Sequence, residues 1–152
     1  MLSMKAKYGL RALTALAREH GGGPILIADL ASSEGIPRKF LELILLELKR
    51  KGILRSKKGK GGGYNLSRPP AAISVGEVIR ALDGPIALLP CVSQSAYRRC
   101  DECVDELTCG IRHVMKEVRD ATATILDSTT LEDLLSRSKR MIESAEPAMY
   151  HI

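Results

Sequence analysis

The sequence predicts a mainly α protein: a winged helix-turn-helix with a two-stranded β-wing, plus a long C-terminal dimerisation helix. Three features carry that prediction: two helical segments joined at Gly35, a lysine- and glycine-rich hairpin over residues 57–63, and an apolar stripe of helical period after Gly110. At 152 residues the chain is long enough to bury a hydrophobic core without cross-links.

Met4, Tyr8, Ala12 and Ala15/Leu16 recur at helical spacing, and the run stops at Gly21-Gly22-Gly23. Pro24-Ile25-Leu26-Ile27 leads into a short helix from Ala28 to Glu34. Gly35-Ile36 breaks it, and Pro37, read as the first helical position, opens a longer helix to about Lys51. In a helix-turn-helix the second helix of the pair is the one that enters the major groove. From Ile53 to Ser67 two short strand-like runs flank a tip containing Lys57, Lys58, Lys60 and Gly59 to Gly63. That is the pattern of a wing, whose glycines let backbone approach DNA closely while the lysines supply charge. The same glycines also suit a plain turn or a phosphate loop, although no Lys-Ser/Thr follows them as a P-loop requires.

Ser74-Val75-Gly76-Glu77 has the capping-box pattern and opens a helix through about Leu82, which Asp83-Gly84-Pro85 ends. Residues 86–109 hold no steady period and read as a loop. Ile111, Val114/Met115, Val118, Ala121/Thr122 and Ile125 then form a stripe that needs a cover. The same helix of a second subunit is the expected cover, and packing back on its own domain is the alternative. Thr129-Thr130-Leu131-Glu132 is a second capping-box pattern, opening a final helix to about Ser144, and the tail after Glu146 is expected to fray. The expected organisation is a DNA-binding domain over 1–83, a cysteine-containing loop over 84–109, and dimerisation and C-terminal helices over 110–145.

Residues 1–70 carry 14 Lys/Arg against 5 Asp/Glu (net +9), and residues 71–152 carry 9 against 13 (net −4). A basic half of that strength suits a polyanion, with a solvated basic surface as the plainer alternative. One Phe and four Tyr make a poor base-stacking platform, so double-stranded DNA is the expected partner rather than a single strand. Lys5, Lys7, Arg11 and Arg18 interrupt the N-terminal apolar residues. Neither a signal peptide nor a membrane span is read, and the expected location is cytoplasmic. No nucleophile–base pair stands out, and His20, His113 and His151 are scattered, so no enzyme is read.

Cys91, Cys100, Cys103 and Cys109 fall within nineteen residues. With no export signal, that concentration favours metal or redox chemistry over structural disulfides. Four thiolates suit zinc, a 2Fe–2S cluster or a 4Fe–4S cluster, and spacing alone does not choose among them. His113, one helical turn beyond Cys109, is a further candidate ligand. Inert buried thiols are the plain alternative, at odds with neighbours such as Arg98-Arg99, Asp101-Glu102 and Asp105-Glu106.

Tyr8-Gly-Leu-Arg-Ala-Leu13, Gly59-Lys-Gly-Gly-Gly-Tyr64 and Cys103-x5-Cys109 before a long helix together resemble the Rrf2 family of bacterial repressors and activators, over roughly residues 1–140. The resemblance implies a homodimer whose recognition helix reads the major groove while the wing tip places a basic side chain in the minor groove. By motif, the family's base-contacting glutamate falls on Glu42, which suits acceptance from cytosine N4, or is a plain surface charge. The family's wing-tip arginine falls on Lys58, and a lysine favours a narrow minor groove less sharply. Arg38 and Lys39 suit phosphate or guanine contacts, or are surface charges.

The resemblance also implies an iron–sulfur cluster. Family members pair three cysteines with a histidine three residues after the last cysteine, or with a carboxylate from the partner's first helix. Here Arg112 and Lys7 stand at those places. All-cysteine ligation by Cys91, Cys100, Cys103 and Cys109 is therefore expected, with occupancy of the loop setting the spacing of the two wings. A structural zinc site, a thiol switch and a protein-binding winged helix are the competing expectations.

Overall fold

Seven residues from the end, the C-terminal helix reaches the limit of what the computed structural model describes, which is residues 1–145; the expected fraying after Glu146 lies outside them. Helix α1 (Met4–Arg18) starts at Ser3, whose hydroxyl caps the Ala6 N–H at 3.0 Å, and it buries Ala6, Ala12, Leu13 and Leu16. Helix α2 (Ile27–Glu34) ends at Gly35 in the left-handed region, φ 61°. That backbone, open to glycine without strain, turns the chain within two residues into α3 (Arg38–Arg50). Pro37 is the N-cap of α3 and not its first helical residue. Leu41, Ile44, Leu45 and Leu48 form the buried stripe of α3, against α1 and α2.

Strands β1 (Leu54–Lys57) and β2 (Gly63–Leu66) pair antiparallel, from Leu54↔Leu66 to Lys57↔Gly63. The sheet gains a third partner that the sequence pattern did not announce. Ile25 exchanges both backbone hydrogen bonds with Tyr64, at 2.9 and 2.8 Å, so the wing is anchored to the segment before α2. A 3₁₀ turn at Pro70–Ala72 precedes α4 (Val75–Asp83). Ser74 caps Glu77 N–H at 3.1 Å, but the Glu77 carboxylate turns to Arg68, so the expected capping box is only half made.

A second 3₁₀ turn, Pro90–Val92, interrupts the expected loop and carries Cys91. The long helix α5 (Gly110–Ser128) follows and has no buried residue. Helix α6 (Leu131–Ala145) is opened by Thr130 and Asp133. Asp133 Oδ2 accepts the Thr130 N–H at 2.8 Å, and Thr130 Oγ1 accepts the Asp133 N–H at 3.1 Å, so the box begins one residue later than the Thr129 to Glu132 pattern suggests. Leu131 is fully buried, and Leu134 and Leu135 pack on the same core, laying α6 over α1.

The family-like motif at residues 8–13 has a packing basis. Tyr8 meets Phe40 of α3 edge-on, with centroids 5.7 Å apart, and the Arg11 guanidinium lies 5.8 Å from the Tyr8 ring centre. At Gly9 a Cβ would come within 2.3 Å of Leu82 Cδ1, so the glycine lets α4 cross α1 closely. Among the described residues no helix is long and apolar enough to cross a membrane.

Candidate DNA interface and cysteine pocket

The exposed face of the helix-turn-helix presents Arg38, Lys39 and Glu42 in the first turns of α3. Arg38 Nε and Glu42 Oε1 lie 3.3 Å apart, so one residue that would accept from a base also orients one that would donate. Beside them Leu43 is 65 % exposed. It went unnoticed in the sequence because a leucine in an amphipathic helix reads as core, yet such a side chain suits contact with a thymine methyl. The N–H groups of the first turn have no side-chain cap, which leaves them open to a phosphate.

At the wing Lys57, Lys58 and Lys60 are all exposed. Two glycines shape this tip through close backbone approach. A Cβ at Gly62 would sit 2.3 Å from the Lys57 carbonyl oxygen, and one at Gly63, where φ is 140°, would sit 2.2 Å from that of Ile25. The recognition helix and the lysine tip thus lie on segments whose backbones are fixed by α2 and by the Ile25–Tyr64 bridge.

The cysteines converge. Cys91, Cys100, Cys103 and Cys109 line one pocket of about 510 Å³, together with Glu102, Asp105 and Arg112. Cys91 is buried at 4 % exposure; the other three are partly exposed, and all four are free thiols. Cys109 is the N-cap of α5, its sulfur accepting the Arg112 backbone N–H at 3.4 Å. The Cys100 thiol is held above its usual range, first by the neighbouring Cys91 thiol, then by burial and by Cys103 and Cys109. Arg99 donates to the carbonyls of Cys103 and Val104, and Arg119 on α5 donates to that of Val92. His113 does not join them: it is exposed and pairs with Glu117 at 3.3 Å.

This donor set fits a thiophilic metal or an iron–sulfur cluster, since four soft sulfurs share one largely apolar cavity. Among the described residues no three Cys, His, Asp or Glu side chains stand close enough to hold an ion as they are. The pocket therefore supplies ligands without a closed coordination shell.

The family model Rrf2, described as an iron-dependent transcriptional regulator, matches residues 2–137. An rrf2-like helix-turn-helix transcriptional regulator of Rhodobacter capsulatus is 45 % identical over 139 residues, spanning 90 % of this chain and 93 % of the relative. The solved structure of CymR, the global cysteine regulator of B. subtilis, superposes with a TM-score of 0.75 at 34 % identity, covering 90 % of this chain and 97 % of CymR. The structure of IscR from T. potens gives a TM-score of 0.72 at 29 % identity, covering 91 % of this chain and 88 % of that one. The chain belongs to the Rrf2 family of helix-turn-helix transcription regulators, DNA-binding proteins rather than enzymes.

Proposed function

We propose that this chain is a homodimeric regulator whose affinity for an operator is set by an iron–sulfur cluster held by Cys91, Cys100, Cys103 and Cys109. The observation that carries this reading is the convergence of all four thiols on one pocket at the N-terminus of α5. The family's description as iron-dependent supports it. When bound, a cluster supplies reversible electron uptake and lability to oxidants.

The protein's own part is to link that pocket to the DNA face. Cys109 caps α5, Arg119 ties α5 to the Cys91 turn, and Arg80 ties α4 to α5. Helix α4 packs on α1 and α3, the framework that aims Arg38, Lys39 and Glu42. On its uncovered side α5 exposes Ile111 and Ile125 at 67 % and 62 %, with Val114 between them. A second copy laid along this stripe is the cover, and it sets two recognition helices the distance of about one DNA turn, 34 Å, or a multiple of it. Lys57, Lys58 and Lys60 then meet phosphate or the minor groove.

The test is a visible spectrum of protein purified without oxygen, with iron, sulfide and zinc measured on the same sample, followed by operator binding with and without the cluster. Stoichiometric iron and sulfide with a change in affinity on cluster removal is the expected result; equal affinity of the two forms would defeat the sensing claim. The shared pocket of Cys91 and Cys100 supports one second reading, a thiol switch in which peroxide takes two electrons and two protons as these sulfurs join. A colourless protein that forms this disulfide would establish it, and a colourless protein with bound zinc would point to a structural site.

A further inference from the structure

Arg112 occupies an unusual place in the cysteine pocket. Its backbone N–H already serves the Cys109 sulfur, and its side chain lines the same cavity as all four thiols. Among the described residues, Arg112 Nε is the one buried side-chain nitrogen or oxygen without a hydrogen-bond partner. A buried guanidinium donor left unpaired costs free energy comparable to a lost charged hydrogen bond, so its persistence points to an acceptor that arrives with a ligand.

Two other charged side chains at the pocket are engaged locally. Arg99 Nη2 donates to the carbonyls of Cys103 and Val104. The Asp105 carboxylate accepts from the Leu107 N–H and the Thr108 hydroxyl at 3.0 and 2.9 Å. Glu102 adds a second carboxylate to the lining. Beside the four cysteines the lining thus carries two carboxylates, and Arg112 is its basic residue.

We propose that Arg112 is the charge-compensating residue of this site, donating from its side chain to the sulfur assembly and favouring the more negative, reduced form of a bound cluster. The proposal rests on the iron–sulfur reading above. Hydrogen bonds to sulfur and nearby charge are the protein's main means of setting a cluster's potential, and a fixed cation stabilises the added electron. Arginine does this without ligating: it has no lone pair to offer and stays protonated.

Full-length wild-type, Arg112→Gln and Arg112→Lys proteins, purified without oxygen, are compared for iron and sulfide per chain and for midpoint potential by optical titration with dithionite. The expected result is equal iron and sulfide in all three. The Arg112→Gln midpoint falls by about 59 mV, a tenfold change in a one-electron equilibrium, and Arg112→Lys lies between. An unchanged midpoint in a fully loaded Arg112→Gln protein overturns the role of Arg112 and leaves the cluster reading intact. Absence of iron and sulfide from the wild type overturns both. If Arg112→Gln does not load, rescue of loading by Arg112→Lys supports the charge role, and failure of both variants to load reduces Arg112 to a structural residue.

Discussion

Arg80 on α4 and Asp127 on α5 meet through two parallel contacts, Nη1 to Oδ1 at 2.5 Å and Nη2 to Oδ2 at 2.9 Å. The fork holds the Asp127 carboxyl below its usual range, mainly through that hydrogen bond, and raises Arg80 in turn. Gly76 makes the approach possible, since a Cβ there would lie 2.0 Å from Asp127 Oδ1. The pair is a charged tie between the helix that packs on the DNA-binding framework and the helix that starts at the cysteine pocket.

A depressed folded-state pKa fixes the pH dependence of this tie. Its stabilisation is complete above the ordinary carboxylate value of about 4 and is lost as pH falls through the lower folded value. Both side chains are about a third or more exposed, so the pair is worth no more than about 1 kcal/mol. Asp127→Asn is expected to lower stability to urea by up to that amount near neutral pH and by nothing once the wild-type carboxylate is protonated. Urea titrations of both proteins at the two pH extremes decide it; an equal difference at both would mean the tie is not electrostatic.

Much of this architecture could be read from the sequence because it rests on local signals. The Gly35 turn, the Ser74 cap and the stripe from Ile111 to Ile125 each express a backbone or periodic requirement within a few residues. What escaped depends on partners far along the chain. The Ile25–Tyr64 bridge joins segments about 40 residues apart, a pairing no local pattern specifies. The capping box slipped from Thr129 to Thr130 because Asp133 serves as well as Glu132, and Leu131 must face the core. At the site, cysteine spacing announced the gathering of thiols and marked Arg112 only as the residue at the family's histidine position; its place in the pocket lining, and the contacts of Arg119, follow from where α5 lies.

The wing should be sensitive to a single methyl group. Alanine at Gly63 must take a φ of 140° and a Cβ position 2.2 Å from the Ile25 oxygen, so the bridge to Tyr64 has to open. A strain of about 1 to 3 kcal/mol is expected, confined to the wing. Hydrogen exchange at the Ile25 and Tyr64 amides should accelerate roughly tenfold or more, with weaker operator binding and nearly unchanged exchange in α3. Uniform acceleration across the protein would show that the wing is not a separable unit.

The two parts of the DNA face should separate by salt dependence. If Lys58 neutralises one phosphate, Lys58→Ala lowers the slope of log affinity against log salt by about 0.9 and weakens all sequences alike. Glu42→Ala should leave that slope alone while relaxing base preference at one position by about 1 to 3 kcal/mol. It also releases Arg38 from its 3.3 Å contact, so nonspecific affinity should rise slightly. Binding to operator and scrambled duplexes across a salt series checks both; equal slopes for wild type and Lys58→Ala would remove Lys58 from the interface.

Arg119 offers a test of how the cysteine turn is held. Its side chain is only 12 % exposed, its Nη1 donates to the Val92 carbonyl at 2.5 Å, and the rest of its guanidinium is engaged by Asp120. Cys91, the neighbour of Val92, is the buried member of the four thiols. Arg119→Ala removes a charged donor worth about 1.5 to 3 kcal/mol, and most of that loss should appear as easier opening of the Pro90–Val92 turn. In metal-free protein without oxygen, alkylation of Cys91 by iodoacetamide, followed by mass spectrometry, is expected to speed up about tenfold or more. The more exposed Cys103 should react at an unchanged rate, an internal control for global unfolding. If Cys91 reacts no faster, burial of Val92 alone fixes the turn, and α5 communicates with the pocket only through its cap at Cys109.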